Sequence, residues 1–262
     1  MSAPPPAHGF TAVDAQPRPA DWVAVLDRLA AEPFYADYKR RLAELVDARP
    51  GERYLDAGAG TGQAAADCPG WTVAVDSSWT MAATGRSRGL PVAVADAHAL
   101  PFARGVFAGV WADRVVQHLA EPDRALDGLV RVLRPGGRLV LADPDYGTQE
   151  LDIGDDALAR PVLAYRAERA LRHGTLAHRH AELLAARGLD AVAVERRTAV
   201  VRDPTAMDRV WGLRDWAYAA VEFGYLSGVE ADAFVTAFDT AVHTGRFHYT
   251  VTFFLTAGRV PG

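Results

Sequence analysis

Asp56 is followed by three glycines in five residues, Gly58, Gly60 and Gly62, in the run YLDAGAGTGQAA that spans residues 54–65. An apolar stretch precedes them and an alanine-rich one follows. Glycines between a strand and a helix let backbone approach a ligand closely, and the helix N-terminus adds free N–H groups. The spacing is D-x-G-x-G-x-G. A dinucleotide fingerprint would instead place a third glycine where Gln63 stands, and a phosphate-binding P-loop would carry a lysine that is missing here. Twenty residues after Asp56, Asp76 closes the next apolar run, at a position suited to accept hydrogen bonds from a ribose diol. Asp96 closes the run after that; it can meet an adenine amino group while the small Ala97 leaves room for the ring. Helix capping is the competing role for both carboxylates, in DSSW and in DAHAL.

Elements of one kind must hold these residues at one edge. Short Val- and Leu-rich runs occur at RYLDAG, WTVAVD, VAVAD, VFAGVWAD and GRLVLADPD, with helical patterns in most of the gaps. That alternation predicts an α/β fold, Rossmann-like, with a mostly parallel seven-stranded sheet and helices on both faces. Ligands of such sheets bind beyond the C-terminal strand ends, where Asp76, Asp96, Asp113 and Asp143 fall. Residues 21–46 read as a helical N-terminal cover, divided at Pro33. Helices are expected over 157–173 and 176–187, followed by a strand in GLDAVAVERRTAVV and a helical insertion over 203–243 that serves as a lid. The alternating RFHYTVTFFLTAGRV predicts an antiparallel last strand. Residues 1–20, rich in Pro and Ala, are expected to be flexible, leaving 21–262 as a single domain.

A chain of 262 residues, half of them hydrophobic, can bury a full core. The net charge of -5, with scattered arginines, argues against nucleic acid and for a small-molecule partner. No apolar run is long enough to span a bilayer, and Cys68 is the single cysteine, so a cytoplasmic setting without disulfides is expected. The oligomeric state is not legible.

The glycine loop, the strand-end Asp76, DAHALPF (96–102) and DRVVQHLAEPDRALDGLVRVLRPGGRLVLADPD (113–145) together resemble class I S-adenosylmethionine-dependent methyltransferases. The likeness is to the small-molecule branch of the ubiquinone/menaquinone type (type 11). It is close over residues 41–146, and LRPGGRLVL, before the fifth strand, joins the glycine loop in a combination that nicotinamide enzymes lack. The resemblance implies that Asp56, Gly58 and Gly60 hold the methionine part of S-adenosylmethionine, that Asp76 holds the ribose, and that Ser77 and Met81 flank the adenosine. It also implies that Asp96 with Ala97 reads the adenine and that Arg114 meets the methionine end.

Methyl transfer from a sulfonium is an in-line displacement with an activated leaving group, so proximity carries most of the catalysis. A base is needed only for an acceptor that must lose a proton. His118 and Asp143, beyond the fourth and fifth strands, are the candidate catalytic residues at the acceptor pocket, with imidazole the natural base; pocket-shaping is the alternative for His118. Tyr35, Tyr38, Trp211 and Trp216 are the candidate substrate-binding residues, against the plainer reading that such aromatics are core. No metal is expected: Asp143 and Asp145 are read as pointing to opposite faces, and His173, His178 and His180 as solvated surface. DPDY resembles the tetrapeptide of DNA amino methyltransferases but has Asp145 in place of its proline and follows the fifth strand, so nucleic acid is rejected as substrate. The expected activity is O-, N- or C-methylation of a small, aromatic or polyketide-like acceptor, with secondary metabolism one setting. The alternatives are a non-methylating catalyst such as a cyclase, or a cofactor-binding protein, on the same fold.

Overall fold

A computed structural model describes residues 9–202 and 212–262. The N-terminal cover is a helix pair, α1 (Pro19–Ala31) and α2 (Pro33–Leu45), each begun by a proline at the first helical position, where a missing N–H costs nothing. Strands and helices then alternate through β1 (Arg53–Ala57), α3 (Gln63–Ala66), β2 (Trp71–Asp76), α4 (Trp79–Ser87), β3 (Val92–Val94), β4 (Phe107–Asp113), α5 (Pro122–Val132) and β5 (Leu133–Asp152). The remainder is α6 (Asp156–Glu168), α7 (His180–Ala185), β6 (Asp190–Val201), α8 (Leu213–Glu222), α9 (Gly228–His243) and β7 (His248–Arg259).

The seven strands form one sheet in the order β3-β2-β1-β4-β5-β7-β6, with β7 antiparallel to both of its neighbours. The anticipated mixed sheet is therefore present. The chain runs outward from β1 to β3, then returns to lay β4 on the other side of β1. Strand order reverses between β1 and β4, and a crevice opens beyond their C-terminal ends. Strand alternation divides the core between two faces. Tyr54, Trp111 and Val140 pack under α1, α2, α6, α8 and α9, whereas their neighbours Leu55, Val110 and Leu139 pack against α5 and α7. On α5, Ala125, Leu126, Leu129 and Val132 are buried at helical spacing.

Two expectations change. The helix expected over 157–173 ends at Glu168, and the one expected over 176–187 is a 3-10 turn, Ala177–Arg179, leading into the short α7. The break brings Gly174 against the chain, where its carbonyl accepts from the Tyr146 N–H and an added Cβ would lie 2.5 Å from the Ala167 carbonyl oxygen. The described part of the segment expected to be flexible, 9–20, carries regular structure. It forms two 3-10 turns and the start of α1, and Asp14 caps α4 by accepting from the Trp79 and Thr80 N–H groups (2.7 and 3.0 Å) and the Ser78 hydroxyl (2.9 Å). One capping carboxylate gives this segment contacts that apolar periodicity does not announce. Of the insertion expected over 203–243, α8 and α9 lie among the described residues.

Candidate active site

The crevice is a cavity of about 980 Å³. Its floor is the glycine loop. Gly58, Gly60 and Gly62 all have positive φ (72°, 56° and 79°), a region that L side chains rarely enter, which explains the alternating glycines. A Cβ on Gly60 would also lie 2.7 Å from Leu26 Cδ1, so α1 packs directly onto the loop. The N–H groups of Gly58 and Ala59 both bond to the Val75 carbonyl and tie the loop to β2.

Asp76 fixes the loop from below. One carboxylate oxygen accepts from the Gly60 N–H at 2.7 Å and the other from the Ser78 N–H at 2.8 Å. A carboxylate has about four acceptor sites, so two remain for a diol. Burial raises its pKa, opposed by those two N–H donors. Ser77, Met81, Asp96 and Ala97 also line the cavity. Asp96 does both things considered for it: it lines the cavity, and it caps the 3-10 turn Ala97–Ala99 through the His98 N–H at 2.9 Å. Burial alone would raise its pKa, but the hydrogen bonds from His98 prevail and lower it.

At the end of β1, Asp56 is 2 % exposed, and its Oδ2 has no hydrogen-bond partner. Burial, and next the charge of Asp113, push its carboxyl up to about 7. Arg114 adopts φ +58°, a strained value for a non-glycine residue, with its guanidinium over the Tyr35 ring at 5.1 Å and its Nε 3.5 Å from Asp113. Lys39, from α2, escaped the sequence reading. Its ammonium lies 4.0 Å from Asp113 Oδ2, and burial lowers its pKa against the pull of Asp113 and Asp56. The available signal was composition, since Lys39 is the chain's single lysine.

The substrate candidates separate. Tyr35 and Trp216 line the cavity. Tyr38 does not; it is fully buried and donates to Asp113 at 2.6 Å, so it supports a carboxylate and packs as core. Trp211 lies outside the described residues. Arg166, on α6, lines the cavity beside Trp216 and was not anticipated.

His118 ends a 3-10 turn after β4 and lines the cavity, with its Nε2 3.2 Å from the Gln117 amide nitrogen. Asp143, expected at the pocket rim, is not in the cavity wall. It is 1 % exposed, with His180 Nε2 at 3.4 Å, and burial raises its pKa well above the usual range. Asp143 and Asp145 do not point to opposite faces. Two residues apart on a strand, they share one face, and both meet the 178–180 turn, where Asp145 bonds His178 Nδ1 at 2.6 Å. His180 is therefore fully buried rather than solvated, and burial holds its imidazole down at about 4. His173 bonds the Leu119 carbonyl. Among the described residues no group of three or more His, Cys, Asp or Glu side chains is arranged to hold a metal ion.

The strand order, with a glycine loop and an acidic residue at successive strand ends, defines a class I S-adenosylmethionine-dependent methyltransferase fold. Residues 55–141 match the family described as a methyltransferase domain. The chain is 37% identical over 217 residues to an uncharacterized 37.1 kDa protein in transposon TN4556 of Streptomyces fradiae, covering 79% of this chain and 63% of that one. It is 35% identical over 120 residues to the demethylmenaquinone methyltransferase of Corynebacterium efficiens, covering 42% and 52%. The chain thus spans between half and two thirds of the length of these relatives. In fold it is similar to phosphoethanolamine N-methyltransferase 2 of Haemonchus contortus, solved with S-adenosyl-L-methionine, at a TM-score of 0.59 and 19% identity, covering 97% of this chain and 60% of that one.

Proposed function

We propose that this chain binds S-adenosylmethionine on the glycine loop and transfers its methyl group to a small-molecule acceptor in the aromatic part of the cavity. The observation that carries this reading is the Asp56–Gly62 loop, clamped by Asp76 within a methyltransferase domain, with a buried Asp56 oxygen open to a donor. The residues suit the cofactor's groups. Asp56 accepts from its ammonium, Lys39 and Arg114 offer cations to its carboxylate, Asp76 accepts from the ribose hydroxyls, and Ser77, Met81, Asp96 and Ala97 surround the adenosine. Gly58 and Gly60 keep side chains off the methionine part.

When bound, S-adenosylmethionine supplies a methyl on a sulfonium whose departure needs no acid. The protein's own work is orientation and desolvation, worth up to about 7–11 kcal/mol in well-aligned reactions. His118 accepts the proton of an acceptor hydroxyl or amine, and for an acceptor without such a proton it shapes the pocket. Asp143 supports the turn that carries His118 from beneath and does not touch the acceptor. A cytoplasmic setting and the absence of nucleic acid among the substrates belong to this reading. The relation to demethylmenaquinone methyltransferase supports a small, ring-bearing acceptor.

The test incubates the protein with methyl-labelled S-adenosylmethionine and ring-bearing acceptors, demethylmenaquinone included, and follows label and product mass. One added methyl with stoichiometric S-adenosylhomocysteine supports the proposal. Acceptor turnover without label would make the chain a non-methylating catalyst. For a hydroxyl acceptor, His118→Ala is expected to lower kcat by about 10²–10⁴.

A further inference from the structure

Arg166 is 8 % exposed, and its side chain lies in the cavity wall formed by α6 and α8. Its guanidinium carbon is 4.8 Å from the ring centre of Tyr146 and 4.4 Å from that of Trp216. Among the described residues its polar contacts are meagre: one long hydrogen bond from Nη2 to the Tyr146 hydroxyl at 3.5 Å, and none at Nε. Among the described residues no carboxylate lies within 4.0 Å of it, whereas Arg114 in the same cavity has Asp113. Asp215, the acidic residue nearby in the wall, is exposed.

Burying a guanidinium without a counter-ion costs more than two aromatic faces return. A structural arginine would be better served by a carboxylate of the fold. A binding arginine leaves that place to the ligand, and its planar fork suits a carboxylate in particular.

We infer that Arg166, held between Tyr146 and Trp216, is the anchor for a carboxylate on a ring-bearing acceptor. This rests on the methyltransferase reading for the word acceptor, but the subsite itself is a property of α6 and α8. It narrows the substrate class to aromatic or conjugated acids, with the acid group at the α6–α8 wall and the methylated atom directed toward the glycine loop.

The experiment is equilibrium binding to the whole chain of matched pairs, benzoate with benzamide and 1-naphthoate with 1-naphthamide, with and without S-adenosylhomocysteine. Each acid is expected to bind at least tenfold more tightly than its amide. Arg166→Gln is expected to remove that preference while leaving S-adenosylhomocysteine affinity within about twofold, and Arg166→Lys to keep part of it. Equal affinity of acid and amide for the wild type, or a preference that survives in Arg166→Gln, overturns the inference. The wild-type comparison stands even where a variant fails to fold. Absence of S-adenosylhomocysteine binding would count against the methyltransferase reading alone, because the acid–amide difference is read without it.

Discussion

At the scale of single residues, the site depends on how each carboxylate is satisfied. Asp76 has a partner for each oxygen, so Asp76→Ala removes one charge-assisted hydrogen bond from the glycine loop and one from the start of α4, as well as the acceptor proposed for the ribose. A loss of about 2–4 kcal/mol in stability is expected by denaturant melt, together with loss of cofactor binding by calorimetry. Asp56 is the opposite case. Its folded pKa, near 7, lies above that of the unfolded chain, so the native state holds a proton that the unfolded state has released. Stability from this group is therefore full below about pH 4 and declines as pH rises through about 7. Asp56→Asn is expected to raise the melting temperature of the free protein at pH 8 and to flatten that slope. In the native protein, cofactor affinity should increase from pH 6 to 8 as Asp56 ionises; an affinity independent of pH would remove its assigned role. That Gly58, Gly60, Asp76 and His118 border one cavity was legible because their places after successive strands fix it. Lys39 and Arg166 were not, because each matters through what surrounds it in three dimensions, a carboxylate pair for one and two rings for the other.

At the scale of elements, the parallel strands were more predictable than the helical periphery. Strands buried on both sides read as apolar runs, but β5 continues past Asp143 to Asp152 and leaves that carboxylate buried within the strand. In the N-terminal segment Asp14 acts at long range on the first turn of α4, which composition does not announce. Asp14→Ala should cost about 1–2 kcal/mol and make residues 9–18 more sensitive to proteolysis, as limited digestion would reveal. Burial alone would raise the Asp14 pKa, but the bonds from residues 78–80 lower it, so this cap is present above the ordinary carboxylate range and is lost in acid. Tyr38 illustrates a different limit. Its helical position matched that of a pocket residue, yet it lies in the layer beneath, among Phe34, Tyr35 and Phe253. Phe253→Ala at the middle of that group should lose about 3–5 kcal/mol, measured by urea unfolding.

At the scale of the whole molecule, a reversal of strand order places the β1 loop and the β4 turn side by side, and the helices α1, α2, α6 and α8 roof the space between them. One part of the cavity carries Asp56 and Asp76 at the ends of β1 and β2 beside the glycine loop, with Lys39 reaching in from α2. Another carries Tyr35, Trp216 and Arg166. In the function proposed here, this division between a sheet-edge wall and a wall of added helices lets a common cofactor serve a particular acceptor. Among the described residues no helix is long and apolar enough to cross a membrane. The most direct test of the central claim is calorimetric titration of the folded chain with S-adenosylmethionine, S-adenosylhomocysteine and NADH, on wild type and on Asp76→Ala. One site for the two sulfur ligands, none for NADH, and loss of both in the variant is the predicted result. A well-folded wild type that binds neither sulfur ligand would contradict the account.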